Sequence, residues 1–257
     1  MLKKIFKFGS NKDDVIEIWS RFPGLADVEP PKESKYFLPK WWTTAQKWQS
    51  EDVKKNNIRD NITNKGTIKR CPAVPEFMSM GITIPMWCDM QVEIFDDGSW
   101  KWNTPSNQFE MSSHGNGQLK DLLPKNVQPE IVLKTECPWL IKTPPGISML
   151  QLPMMWHFST VFTTAPGVIW TDIHHEINQQ LFFKKRGKHM ITRGTPIAQY
   201  IPIRRESWDY NVNKIVPDEL KYAADQSTLQ VRTKFGSGYQ MHQIDTVKEC
   251  PYHAAKK

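Results

Sequence analysis

Six side chains capable of acid–base or metal chemistry fall in one stretch of the chain: His157, Asp172, His174, His175, Glu176 and His189. Two imidazoles and a carboxylate with open coordination positions make a non-haem iron site, and imidazoles suit zinc as well. Spacing decides which of them can act together. On an extended strand successive side chains alternate between faces, so His174 and His175 point apart. Asp172 pairs by parity with His174, and His174 with Glu176, while His157 or His189 would have to supply a third ligand from another strand. The candidate cluster is therefore His157, Asp172, His174 and Glu176, with iron or zinc as its metal. A polar surface loop explains the same residues without any cofactor, and the adjacent histidines favour it. No Gly-x-Ser-x-Gly and no phosphate-loop motif occurs, which removes acyl-hydrolase and P-loop chemistry.

These residues sit between short runs of Ile, Val, Phe and Met, broken by Pro-Gly, Gly-Lys and Arg-Gly, the signature of successive strands with tight connections. Strands are expected near 139–143, 147–153, 158–163, 177–183 and 197–203, with a short one at 188–192. Upstream, Met86 to Phe95 alternates apolar and polar residues. Asp97-Gly98 then marks a turn, and Ser99 to Trp102 returns as the partner strand. Asp13 to Trp19 reads as a strand or short helix, Ala73 to Gly81 as a helical turn, and Val127 to Lys134 as a strand or connector. Trp41, Trp42, Ala45 and Trp48 follow helical spacing, which predicts a short amphipathic helix near 40–48. The predicted fold is mainly β: an antiparallel rolled sheet or distorted barrel, β-clip or jelly-roll-like. It divides into an irregular Trp-rich extension at 1–66, a β-rich core at 67–210 and a partly helical, flexible arm at 211–257, whose helix begins near Pro217.

Two resemblances bear on this region. Pro166-Gly167-Val168-Ile169-Trp170, followed by Gly194-Thr195-Pro196-Ile197-Ala198-Gln199, resembles the closing motifs of the dUTPase and dCTP-deaminase β-clip fold over residues 141–205. Gly146, opening a preceding strand, fits the same pattern, and Gly146, Gly167 and Gly194 are then expected to be structural turns. The family's catalytic carboxylate would stand where Trp170 does, and its phosphate-gripping Arg-Ser pair where Met154 and Met155 do. The resemblance thus implies the fold without the chemistry. Arg70-Cys71-Pro72, Ile141 to Gly146 and Gly194 to Trp208 also resemble an uncharacterised family of proteins from tailed bacteriophages, including marine ones, which implies a viral origin.

With 257 residues, 39% hydrophobic, the chain can bury a core, and 19 prolines against 13 glycines argue for strands and turns rather than a helical bundle. A net charge of +7 raises anionic partners, but the lysines come in small groups mixed with acids, and a lysine- and asparagine-rich chain also reflects coding bias. Trp41 and Trp48 with Lys54 and Lys55 form a candidate stacking and anion-contact set for single-stranded nucleic acid. Cys71, Cys88, Cys137 and Cys250 form no Cys-x-x-Cys pair and read as reduced thiols. No apolar run is long enough to span a bilayer or act as a secretory signal. The expected setting is the host cytoplasm or a virion, with other viral or host proteins, or further copies of the chain, as partners. A non-enzymatic, partner-binding bacteriophage scaffold is the first functional expectation. A metal-dependent or divergent nucleotide-processing enzyme is the second, and single-stranded nucleic-acid binding the third.

Overall fold

The computed structural model describes residues 15–47, 67–106, 108–210 and 212, with the backbone alone at 5–7. Two compact units emerge, one built from 1–39 and 78–206 and the other from 40–77 and 207–257. Strands of the first unit form four antiparallel sheets, and none closes into a barrel.

The expected hairpin is present. Strands β5 (Met90–Ile94) and β6 (Trp100–Asn103) pair in register from Gln91 opposite Asn103 to Ile94 opposite Trp100. Met90, Val92 and Ile94 face the core, while Gln91 and Glu93 are half-buried. The turn between them needs Gly98, whose φ of 83° disfavours a side chain. Asp97 closes it by accepting from the Ser99 N–H at 2.8 Å and the Ser99 hydroxyl at 2.6 Å. Strand β14 (Gly187–Ile191) adds on the other side of β5.

The largest sheet is ordered β12 (Gly167–Ile169), β10 (Ile147–Pro153), β15 (Pro196–Arg204), β4 (Ile82–Pro85) and β3 (Lys32–Glu33). Its middle strand β15 is buried continuously from Ile197 to Ile201, the pattern of a strand covered on both faces. A four-stranded sheet runs β11 (Phe162–Thr164), β13 (Gln179–Phe183), β8 (Ile131–Thr135) and β7 (Met111–Ser113). A smaller one pairs β1 (Ile5–Lys7), β2 (Val15–Ser20) and β9 (Trp139–Lys142). Ile84, Met86, Leu133, Ile141, Met149 and Phe183 lie at the centre of the core with essentially no exposure.

A chain of polar groups crosses this apolar core. The Thr135 hydroxyl donates to Gln179 Oε1 at 2.9 Å, and Gln179 Nε2 to the Tyr200 hydroxyl at 2.8 Å. Tyr200 then donates to Gln151 Oε1 at 2.6 Å, and Gln151 Nε2 to the Ala165 carbonyl at 2.7 Å. Thr135 and Gln179 belong to the four-stranded sheet, Tyr200 and Gln151 to the five-stranded one, so the series links the two.

Some expectations are corrected. The strand expected at 158–163 is confined to β11. Met155–His157 forms a 3-10 turn instead, and Phe158 has a left-handed backbone with φ 51°. In the second unit, helix α2 covers Lys40–Thr44 and stops short of the expected 48. Lys69 Nζ donates to the Trp42 and Thr43 carbonyls at 2.9 and 3.2 Å, satisfying acceptors at the helix end. Helix α1 is a single turn at Leu25–Val28, and α3 spans Ala73–Ser79, close to its expected position. Trp48, Lys54, Lys55, Cys250 and the expected helix from Pro217 lie outside the described residues.

A braced turn as candidate functional site

Beyond Ile169 the chain leaves β12 and turns tightly. The Thr171 N–H donates to the Ile169 carbonyl at 2.9 Å, and those of Ile173 and His174 to the Trp170 carbonyl at 3.0 and 2.7 Å. Residues 170–174 are therefore a turn, and strand parity does not govern where Asp172 and His174 point. Thr171 is buried, its hydroxyl 2.7 Å from that of Thr143. The His175 ring Nδ1 contacts the Thr171 carbonyl at 2.8 Å. The chain rejoins a sheet edge where Glu176 bridges to Leu140.

Asp172 is the keystone of this turn. Arg205, just past the end of β15, donates through both terminal nitrogens, Nη1 to Oδ1 at 2.7 Å and Nη2 to Oδ2 in a shorter contact. The Gly146 N–H adds a third bond to Oδ2 at 3.0 Å. Gly146 sits at φ 78° in the turn before β10, with its carbonyl accepting from the Arg205 N–H at 2.9 Å. The Arg205 bonds, aided by Gly146, hold the Asp172 carboxyl down to about 2. The same guanidinium lies 4.7 Å from the centre of the Trp170 ring, a cation–π contact. Trp170 is still 54% exposed, and Val168 and Ile173 beside it in sequence are also exposed. The arrangement holds a large aromatic ring in open solvent by a fixed guanidinium whose charge is already matched.

The remaining candidates do not join Asp172. His157 lies in the 3-10 turn after β10, where its Nε2–H donates to the Phe37 carbonyl at 2.8 Å and burial lowers its pKa. Glu176 forms an exposed ion pair with Arg21. The His174 ring is exposed, and His189 is bound through Nε2 to the Lys185 carbonyl at 2.9 Å. Among the described residues no three His, Cys, Asp or Glu side chains gather where a metal could be held. Gly194, with φ 85°, forms the turn before β15, whereas Gly167 opens strand β12 and has no positive φ. Trp41 is half-buried and edge-on to the buried Trp42, with ring centres 5.7 Å apart. Burial pushes the Cys137 thiol up to about 12 and the Cys88 thiol up to about 11, which leaves neither reactive, while Cys71 is free and exposed.

Sequence reasoning missed Arg205 as a partner. An Arg-Arg doublet reads as surface charge, and only the antiparallel pairing of β15 with β10, which sets Arg204 opposite Ile147, brings Arg205 to Gly146 and Asp172. Among the described residues no helix is long and apolar enough to cross a membrane. No family model matches the chain, and no curated protein does. Among solved structures the native EIAV dUTPase is similar at 12% identity, over 48% of this chain and 93% of that one, with a TM-score of 0.28. An overlap at that level carries no argument about chemistry.

Proposed function

We propose that this chain is a non-enzymatic, partner-binding β scaffold of a tailed bacteriophage, carried in the virion and docking through the Trp170 face. The observation that carries the reading is the Trp170–Arg205–Asp172 brace. Its carboxylate is committed to holding a turn, and the product of that turn is a fixed, exposed tryptophan. Tryptophan and arginine are the side chains most enriched where single residues dominate protein association. A ring already held in place loses little conformational freedom on docking. Trp170 where the resembled nucleotide hydrolases carry their carboxylate, and Met154 and Met155 where they grip phosphate, support the same reading.

Quantitative mass spectrometry of purified particles tests it. The chain is expected in washed particles at a fixed copy number, and Trp170→Ala is expected to lower its incorporation about tenfold or more while the purified variant still melts cooperatively. Absence from the particles removes the virion assignment, and unchanged incorporation of Trp170→Ala removes the docking face. Stoichiometric iron or zinc in untagged protein, lost on His174→Ala, would replace the scaffold reading with an enzymatic one.

A further inference from the structure

A surface cavity of about 390 Å³ opens between the end of β10, the Met155–His157 turn, β11 and the start of β15. Its size falls within the range of sites that accept an organic group. Pro153, Met154, Phe158, Phe162, Pro196 and Ile197 make its walls largely apolar. Thioethers add adaptability, because unbranched Met side chains reshape around what enters.

Charge in the lining is one-sided. The titratable residues are His157 and Lys184, with no carboxylate among them. His157 is bound to the Phe37 carbonyl and biased to its neutral form by burial, so Lys184 supplies the only full charge. Lys184 reaches the Ser159 carbonyl at 2.8 Å, and the exposed Lys185 follows it. Among the described residues neither lysine is ion-paired with a carboxylate. Carboxylates of neighbouring segments are engaged elsewhere: Asp89 accepts from the Arg193 N–H at 2.8 Å, Glu29 from Lys32 at 3.4 Å, and Glu130, whose N–H donates to the Phe183 carbonyl, from Arg186 Nε at 2.8 Å.

The backbone at the rim is unusual as well. Phe158 is the non-glycine residue with positive φ among the described residues, and its side chain is left 65% exposed, next to an exposed Met155. A left-handed backbone at a residue with a side chain is strained, and such strain tends to accumulate at functional surfaces.

We infer that this cavity receives one apolar side chain from an acidic peptide segment, with the segment's carboxylates meeting Lys184 and Lys185. The apolar walls take the hydrocarbon, the ammonium groups, neither of them matched by a carboxylate among the described residues, take the charge, and the lining places no acid against it. Nucleic acid fits less well, since beyond Lys184 and Lys185 the next cation, Arg186, is already paired with Glu130, and phosphate tracking needs a longer row of free charges. The site is separate from the Trp170 face and does not depend on it.

Fluorescence anisotropy on the full chain provides the test, using labelled heptapeptides with Leu, Phe or Ala at the centre and all-Glu, all-Ser or all-Lys flanks. Glu-flanked peptides with Leu or Phe are expected to bind about tenfold or more tightly than the Ala-centred one. Lys184→Glu, at an exposed position, is expected to reverse the flank preference. Phe158→Gly, whose backbone glycine adopts without strain, is expected to shrink the advantage of Leu and Phe over Ala. Equal binding of Ala-centred peptides, an unchanged flank order in Lys184→Glu, or tighter binding of an oligothymidylate would overturn the inference. Trp170→Ala serves as a control: the ranking holds in that variant whether or not the docking face is correct.

Discussion

A carboxylate gripped at both oxygens by a guanidinium, and at one by a backbone N–H, is stabilised in its charged form. Held down to about 2, Asp172 is too weak a base to take a proton from water near neutrality. The same shift sets a pH dependence. An unfolded Asp titrates near 3.9, so the folded state gains from the ionised group at all pH above about 4 and loses that gain as pH falls towards about 2. Asp172→Asn is therefore expected to be less stable than the parent in urea at pH 7, with the difference shrinking between about pH 4 and 2; a constant difference would show that the ion pair is not its source. At this scale the sequence was legible in residue type only. It marked Asp172, His174 and Glu176 as able to bind or transfer, but the partners that commit two of them, Arg205 and Arg21, lie far away in sequence. Parity reasoning failed here because it presumed a strand, and backbone bonds to the Trp170 carbonyl make a turn.

Strands were read well where their own pattern suffices. β10 occupies its expected 147–153, and the β5–β6 hairpin turns at Asp97-Gly98 as its alternation and turn residues require. Short edge pieces such as β3, β7 and β12 were not legible, since two or three residues carry no periodicity and are strands only because a neighbour pairs with them. Glycines separate the two kinds of constraint. Gly98 has φ 83° with open space around it, whereas at Gly81, with φ 64°, a Cβ would overlap the Tyr200 carbonyl oxygen of the adjoining strand. Gly98→Ala is expected to lose about 1–2 kcal/mol, the ordinary cost of a left-handed backbone. Gly81→Ala adds the steric overlap and is expected to lose clearly more, with thermal melts of the two variants as the measurement; equal losses would mean β4 and β15 can move apart freely.

The two larger sheets are held together by more than apolar contact. Between them run Thr135, Gln179, Tyr200 and Gln151, each buried and each satisfied by the next. Burial raises the Tyr200 pKa well above its usual value, so the phenol stays neutral and serves as donor and acceptor at once. Tyr200→Phe removes both functions and leaves the Gln151 oxygen and the Gln179 amide short of a partner. A loss of about 1–3 kcal/mol in denaturant midpoint analysis is expected, with unchanged binding of the peptide probes. Composition predicted the mainly antiparallel β architecture, because prolines, glycine turns and short apolar runs disfavour other classes. It could not place this polar series: a Gln or Tyr in an apolar strand looks the same whether it faces solvent or another sheet.

The position of β15 in the largest sheet bears on how the protein is made. It lies between β10 and β4, yet among the described residues it is the last strand of that sheet in sequence order. A ribosome must therefore release β3, β4, β10 and β12 before the strand that joins them exists. Until Pro196–Arg204 emerges, β4 and β10 each have an open hydrogen-bonding edge. The central pairing of this sheet therefore comes after its outer strands have been made, with long loops to close before it is gained. During synthesis the unfinished chain is at its most adhesive, and slow translation beyond Gly194 would prolong that interval.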